Sequence, residues 1–285
     1  MTGKAILLSE IVFLTGEERY METNIWFILT YGSTRAPADW VQNHKINMQK
    51  LYYIKGGTAW YTDKRGERQR FIPGMIYLFP YNFEYRFEND RNDPLDHVYF
   101  DFLSSPPLIA DSPLIYKPKE DHGLLTLFKA FEEFCFSTPD IEGWRKRFEL
   151  QEIMNAGHGS VEEIKRIVHR MLLAMLDLLS YNVELPFVDD RMVCETLDMI
   201  RECYTQPIRV TDMAARSGYE VNYFIKRFRS IMNQTPYAYL RAYRIMNAYQ
   251  LISAGETLES AAVKSGYSDG ASLSHAMRAF DTRNG

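Results

Sequence analysis

The stretch TDMAARSGYEVNYFIKRFRS, residues 211–230, decides the fold of the C-terminal third of the chain. Met213, Ala214 and Ala215 give a short helix a face of small residues that lets another helix cross closely. Ser217-Gly218-Tyr219 follows, then a second helical run carrying Lys226, Arg227 and Arg229. A glycine at that corner takes the positive φ that ends a helix sharply. The pattern returns 48 residues on, where Asp212-Met-Ala-Ala-Arg-Ser-Gly-Tyr219 aligns with Ser260-Ala-Ala-Val-Lys-Ser-Gly-Tyr267. Each copy reads as helix, corner, helix, with the aromatic after the glycine expected to plug the angle between the two helices.

A helix leaving such a corner can enter the DNA major groove if its outward face is polar. Phe224 and Phe228, four residues apart, mark the buried side of the first, so Asn222, Ile225, Lys226 and Arg229 are expected to face outward. In the second copy Leu273 and Met277 form the buried pair, leaving Gly270, Ala271, Ser274, His275 and Arg278 outside. Amide, cationic and small polar groups at such places read base edges or hold phosphates. Around the two copies the helical periods predict helices over 191–204, 211–217, 221–233, 236–253, 258–265 and 270–280, punctuated by Pro207, Gly218, Pro236, Gly255 and Gly266.

Charge follows the same division. From Arg191 onward there are 12 lysines and arginines against 9 aspartates and glutamates, while the preceding residues carry 21 against 28. Only the C-terminal third is therefore electrostatically suited to a polyanion. The length allows two domains, and 46% hydrophobic residues with 14% aromatics can bury a sizeable core. No apolar run reaches the length of a membrane span, and the N-terminus lacks a cleavable signal pattern, so no membrane partner is expected and a cytoplasmic location is. Cys135, Cys194 and Cys203 form no pairable framework and read as reduced thiols.

Residues 24–103 read as short aromatic and β-branched strands (NIWFILTYG, QKLYYIKGG, TAWYT, RQRFI, MIYLF, FEYRF and HVYFDF) with turn signals between them. That spacing suggests a barrel or sandwich. A Pro-rich connection covers 104–118, and helices are expected over 124–136 and 160–182, the second with a Ser160–Glu163 capping box. Its apolar face (Ile164, Ile167, Val168, Met171, Leu172, Met175, Leu178, Leu179) is broad enough to pack on the strands and to meet a partner subunit. Residues 183–190, around Pro186, read as a linker.

The C-terminal portion resembles the DNA-binding domain of the AraC/XylS family of bacterial transcription regulators, two helix-turn-helix units bridged by a helix that begins near a Gly-x-Ser/Thr-Pro turn. The turn stands here as Asn233-Gln-Thr-Pro236, with asparagine tolerable where φ is positive. The bridge continues YAYLRAYRIMNAYQLI through Arg244, Ala248 and Leu251. The resemblance is close from about residue 192 to the C-terminus and loose before it. It implies an α+β protein of several domains: a cupin-like N-terminal effector-binding and dimerisation domain over 1–182 (barrel about 20–105, helices about 120–182), a linker at 183–190, and the tandem helix-turn-helix domain over 191–285. It implies base readout by Asn222, Ile225 and Lys226 in the first unit and by Ser272 and His275 in the second, with Arg227, Arg229, Arg241 and Arg278 on phosphates. The family's second unit continues past a glycine with Ser-Pro and a final helix. That segment is expected to be missing, because the chain stops at Arg283-Asn284-Gly285. Gly270 and Ala271 also stand where long side chains are usual, so the second unit is expected to grip the backbone more than it reads bases.

For the N-terminal domain the resemblance implies a small-molecule effector, a homodimer, promoter DNA as the macromolecular partner, and room for contact with RNA polymerase. Tyr53, Trp60, Tyr77, Tyr85, His97 and Tyr99 are the side chains that stack on sugar rings and hydrogen-bond hydroxyls, so a saccharide is the expected class. The rival reading is a cupin-type enzyme with an accessory helical domain. Enzymatic cupins hold a metal with two or three histidines and a glutamate. Here His44 stands alone and Tyr85 occupies the late histidine position, eleven residues after Gly74. No metal, cofactor or catalytic residue is expected.

Overall fold

The computed structural model describes residues 24–44, 48–81, 83–119, 123–137, 161–253 and 255–284. The N-terminal strands build two antiparallel sheets. One holds β1 (Asn24–Arg35), β8 (Asp96–Ser105), β3 (Gln49–Gly56), β6 (Ile76–Phe79) and β9 (Leu114–Tyr116), in that spatial order. The other holds β2 (Val41–His44), β7 (Tyr85–Asn89), β4 (Ala59–Asp63) and β5 (Arg68–Arg70). The seven strand runs read from the sequence are all present. The two additions, β2 and β9, are short and poor in β-branched residues, and β9 lies inside the stretch taken as a Pro-rich connection.

The alternation of side chains along each strand sorts the core into two layers. Tyr52 and Ile54 on β3, Tyr77 and Phe79 on β6 and Tyr99 on β8 face the second sheet, where they meet Ala59, Tyr61, Tyr85 and Phe87 in an aromatic interior. The opposite face of the first sheet buries Leu51, Ile76, Leu78, Val98, Phe100 and Phe102 against α1 (Gly123–Ser137) and α2 (Val161–Ser180). On α2 the expected stripe is largely buried, but Ile167 stands 44% exposed. The Ser160 cap lies outside the described residues.

Two charged groups sit inside the sheet layer. Lys50 and Asp101 are cross-strand partners on β3 and β8. Lys50 is fully buried, its Nζ 2.5 Å from Asp101 Oδ2, to which the Thr30 hydroxyl also donates at 3.1 Å. His97, also fully buried, lies against Tyr52 with ring centres 4.9 Å apart. Burial first, and then the Lys55 and Lys50 ammonium groups, push its imidazole down from 6.5 to about 3. The sign is that of a depressed base. Below pH 6.5 the unfolded chain takes a proton that the folded chain refuses, so stability is lost as pH falls. Between pH 7 and pH 5 this contributes a loss of about 2 kcal/mol. The wild type is expected to show that loss in denaturant melts, and His97→Phe to lack it. Parallel pH dependence in the two proteins would contradict the burial.

The C-terminal domain is helical: α3 (Arg191–Cys203), α4 (Val210–Ser217), α5 (Val221–Met232), α6 (Pro236–Ser253), α7 (Leu258–Lys264) and α8 (Gly270–Asn284). Val193, Leu197, Ile200, Met213, Ala214, Phe224, Phe228, Tyr239 and Leu240 form its main core, and Ala248, Ala261, Ala262 and Leu273 a smaller one under the second unit. Residues 186–188, inside the stretch read as a linker, are hydrogen-bonded to the N-terminal domain. The Ile109 N–H donates to Pro186 O at 2.9 Å and the Val188 N–H to Pro107 O at 2.9 Å.

Candidate nucleic-acid interface

The two corners are built alike. After α4, Gly218 takes φ 74°, and the N–H groups of Gly218 and Tyr219 fold back onto Ala215 O and Ala214 O, both at 3.1 Å. After α7, Gly266 takes φ 81°, and Gly266 and Tyr267 donate to Val263 O and Ala262 O at 3.2 and 2.9 Å. This double closure satisfies the last helical carbonyls and turns the chain into the next helix. The tyrosines then diverge. Tyr267 is largely covered, whereas Tyr219, expected as a plug, is 45% exposed and leans on Tyr223 with ring centres 5.3 Å apart.

At the start of α5, Glu220 caps the helix, accepting from the N–H groups of Asn222 and Tyr223 at 2.9 and 3.0 Å. These two donors hold its carboxyl below the usual range. Phe224, Phe228 and Met232 bury one side of α5. Asn222, Tyr223, Lys226, Arg227, Arg229 and Ser230 are exposed. Asn222, Tyr223, Arg229 and Ser230 each lie three or four residues from Lys226, so the five share one helix surface. Tyr223 and Ser230 were missed by the sequence reading, although a helical wheel places them there.

Three expected contact residues are committed elsewhere. Ile225 is half-buried and packs on the domain core, because it lies on the border of the Phe224–Phe228 face. Arg227 donates from Nη2 and Nε to Asp190 Oδ2 at 2.8 and 3.2 Å, tying α5 to the residue that caps α3. Arg241 donates to Ala276 O at 3.3 Å, joining α6 to α8. Arg244 is likewise structural, bonding Tyr204 O and Gln206 O, both at 2.6 Å.

In the second unit Ala271, Ser272, His275 and Arg278 form the exposed face of α8. Ser274 is only half-exposed, and Gly270 is buried, its N–H donating to Glu259 Oε2 at 2.8 Å. Asp269 caps α8 through the Ser272 N–H at 2.7 Å. This face is smaller and less cationic than that of α5.

Of the expected effector residues, Tyr77, Tyr85, His97 and Tyr99 lie between the two sheets. Tyr53 and Trp60 do not, because both fall on the opposite phase of their strands. Tyr53 stacks on Phe128 of α1 at 5.1 Å, and Trp60 lies under the Arg68 guanidinium at 4.3 Å. The sequence reading missed Lys50, Tyr52 and Asp101, which the topology brings to the same interior. Asp101 Oδ1 and the Tyr52 hydroxyl are buried there without a hydrogen-bond partner among the described residues. No three histidine, cysteine, aspartate or glutamate side chains among those residues converge as a metal-binding group.

Residues 193–281 match a protein family described as a helix-turn-helix domain. A search of curated proteins gives no match. Among solved structures, the chain is similar to ToxT from Vibrio cholerae O395, with 12% identity and a TM-score of 0.53 over 90% of this chain and 93% of that one. It is similar also to the same protein bound to (E)-4-(8-methylnaphthalen-1-yl)but-3-enoic acid, with 12% identity and a TM-score of 0.55 over 87% and 93%. These matches share a two-domain fold, sheets first and helices second. The C-terminal domain is a helix-turn-helix domain of the AraC type.

Proposed function

We propose that this protein binds promoter DNA chiefly through its first helix-turn-helix unit and that a small molecule held between the N-terminal sheets controls the binding. The observation that carries the reading is the exposed surface of α5. It sets Asn222, Tyr223, Lys226, Arg229 and Ser230 together, opposite a fully buried aromatic face, behind a corner that the chain builds twice. Asn222 and Lys226 stand toward the N-terminal end of α5, the end that meets base edges in such domains, and Arg229 is placed for a phosphate. Ser272, His275 and Arg278 add a second, weaker contact.

Lys226→Ala and Asn222→Ala are each expected to weaken binding to a selected duplex about tenfold or more, since a good base contact discriminates by about 1–3 kcal/mol. Lys226→Ala would also lower the salt slope by about 0.9 if its partner is a phosphate. Unchanged affinity in both variants would sink the assignment of α5.

For the effector, the aromatic walls and the unpartnered Asp101 Oδ1 and Tyr52 hydroxyl suit a hydroxyl-bearing ring such as a saccharide. The acid bound by the ToxT neighbour favours a second reading, an apolar carboxylic acid. Calorimetric titration with the two classes separates them. The covered helices α1 and α2, with Ile167 on an open face, suit a homodimer. The proposed setting is cytoplasmic, with RNA polymerase as a further partner.

A further inference from the structure

Tyr81, Phe83 and Glu84, in the connection between β6 and β7, touch both domains. At the two ends of this connection Phe79 and Tyr85 point into the interior, their rings 5.1 Å apart, and Phe83 packs beside them. Tyr81 is buried in the core of the C-terminal domain, its ring 6.0 Å from Tyr239 of α6, which in turn lies 6.2 Å from Phe228 of α5. The Tyr81 hydroxyl accepts from Gln234 Nε2, and Glu84 Oε1 accepts from Asn233 Nδ2 at 3.3 Å. Asn233, at φ 54°, is the left-handed cap that ends α5. The Tyr81 N–H donates to Leu108 O at 2.7 Å, so Tyr81 rests on the same segment, 107–109, that holds residues 186–188.

The clasp has an electrostatic consequence. Glu84 sits at the C-terminal cap of α5, and Arg229 is four residues before that cap, a rise of about 6 Å. The carboxylate is thus about one helical turn along α5 from a group assigned to phosphate. The domain brought up behind it belongs to the part of the chain with 21 cationic against 28 anionic residues.

We propose that the contact made by Tyr81 and Glu84 is an inhibitory clasp. Docked on the Asn233-Gln234 turn, it holds an acidic domain against the first recognition helix and lowers its affinity for duplex DNA. A ligand that displaces Phe79 or Tyr85 from the interior pulls on the ends of the connection and so reaches α5. The inference rests on the reading of α5 as the DNA-binding helix.

The test uses the full chain, wild type and the variants Tyr81→Phe, Gln234→Ala and the double, with a 60-base-pair mixed-sequence duplex at low and high salt. Tyr81→Phe keeps the ring packing and removes only the hydroxyl, and equal unfolding midpoints verify that the fold is kept. Each single variant is expected to bind at least threefold more tightly at low salt, the double no more tightly than the better single, with the advantage gone at high salt. A gain of binding by the variants where the wild type shows none supports the clasp as well. Unaltered or additive affinities in proteins that do bind overturn the clasp and leave the DNA-binding reading standing. Absence of binding in all four proteins sinks both.

Discussion

Replacing Asp101 by alanine is expected to lower the unfolding free energy by roughly 3–5 kcal/mol, because it removes one member of a buried ion pair and strands the charge of the other. Lys50 is 0% exposed and Asp101 3% exposed, so solvent cannot take over the role of the lost carboxylate. The substitution also deprives the Thr30 hydroxyl of its acceptor. Replacing both charges tests the cause. In Lys50→Met with Asp101→Leu no stranded charge remains, and most of the loss should be recovered. Denaturant melts of the two proteins decide the matter. A cost under about 1 kcal/mol for Asp101→Ala would place the pair in a solvent-like environment, contrary to the structure.

The second large effect is expected at Gly266. Its φ of 81° alone costs an L residue about 1–2 kcal/mol. An added Cβ would also lie 2.5 Å from Tyr204 O and 3.0 Å from both Arg244 Nε and Thr205 Cα. That carbonyl is the one Arg244 holds at 2.6 Å, so the backbone and its tether must both move. Gly266→Ala should therefore destabilise by about 3 kcal/mol or more. Gly218 is the internal control. It has a similar φ of 74°, but nothing lies within 4 Å of its would-be Cβ, so Gly218→Ala should cost only the backbone term. Equal losses at the two glycines would mean that the second corner does not pack on the turn after α3.

The sequence made the repeat legible because the corner is a local device. A helix, a glycine at positive φ and a following helix depend on residues within a few positions of one another, and both copies carry them. His97 and Tyr99, two residues apart on β8, share one face for a local reason too, the period of two along a strand. The misplacements arise where a partner distant in sequence decides. Ile225 and Arg227 have outward phases on a bare helix, but the core claims one and Asp190, 37 residues earlier, claims the other. Tyr53 and Trp60 are as aromatic as their neighbours, and only the layer order of the sheets shows that they face away from the interior. Lys50 and Asp101 went unread because a lysine on a strand gives no local sign that an aspartate 51 residues on will face it. Asn233 was read as a tolerated stand-in for glycine. The structure gives it the expected left-handed backbone and, in addition, a hydrogen bond to Glu84 that glycine could not make.

The central claim is that α5 reads duplex DNA. The most direct measurement is selection of this chain on a pool of random duplex DNA at two salt concentrations, with sequencing of what is retained, repeated with Asn222→Ala and Lys226→Ala. The expected result is an enriched motif with the wild type that either substitution weakens or abolishes. Retention of the same motif at the same strength by both variants would contradict it.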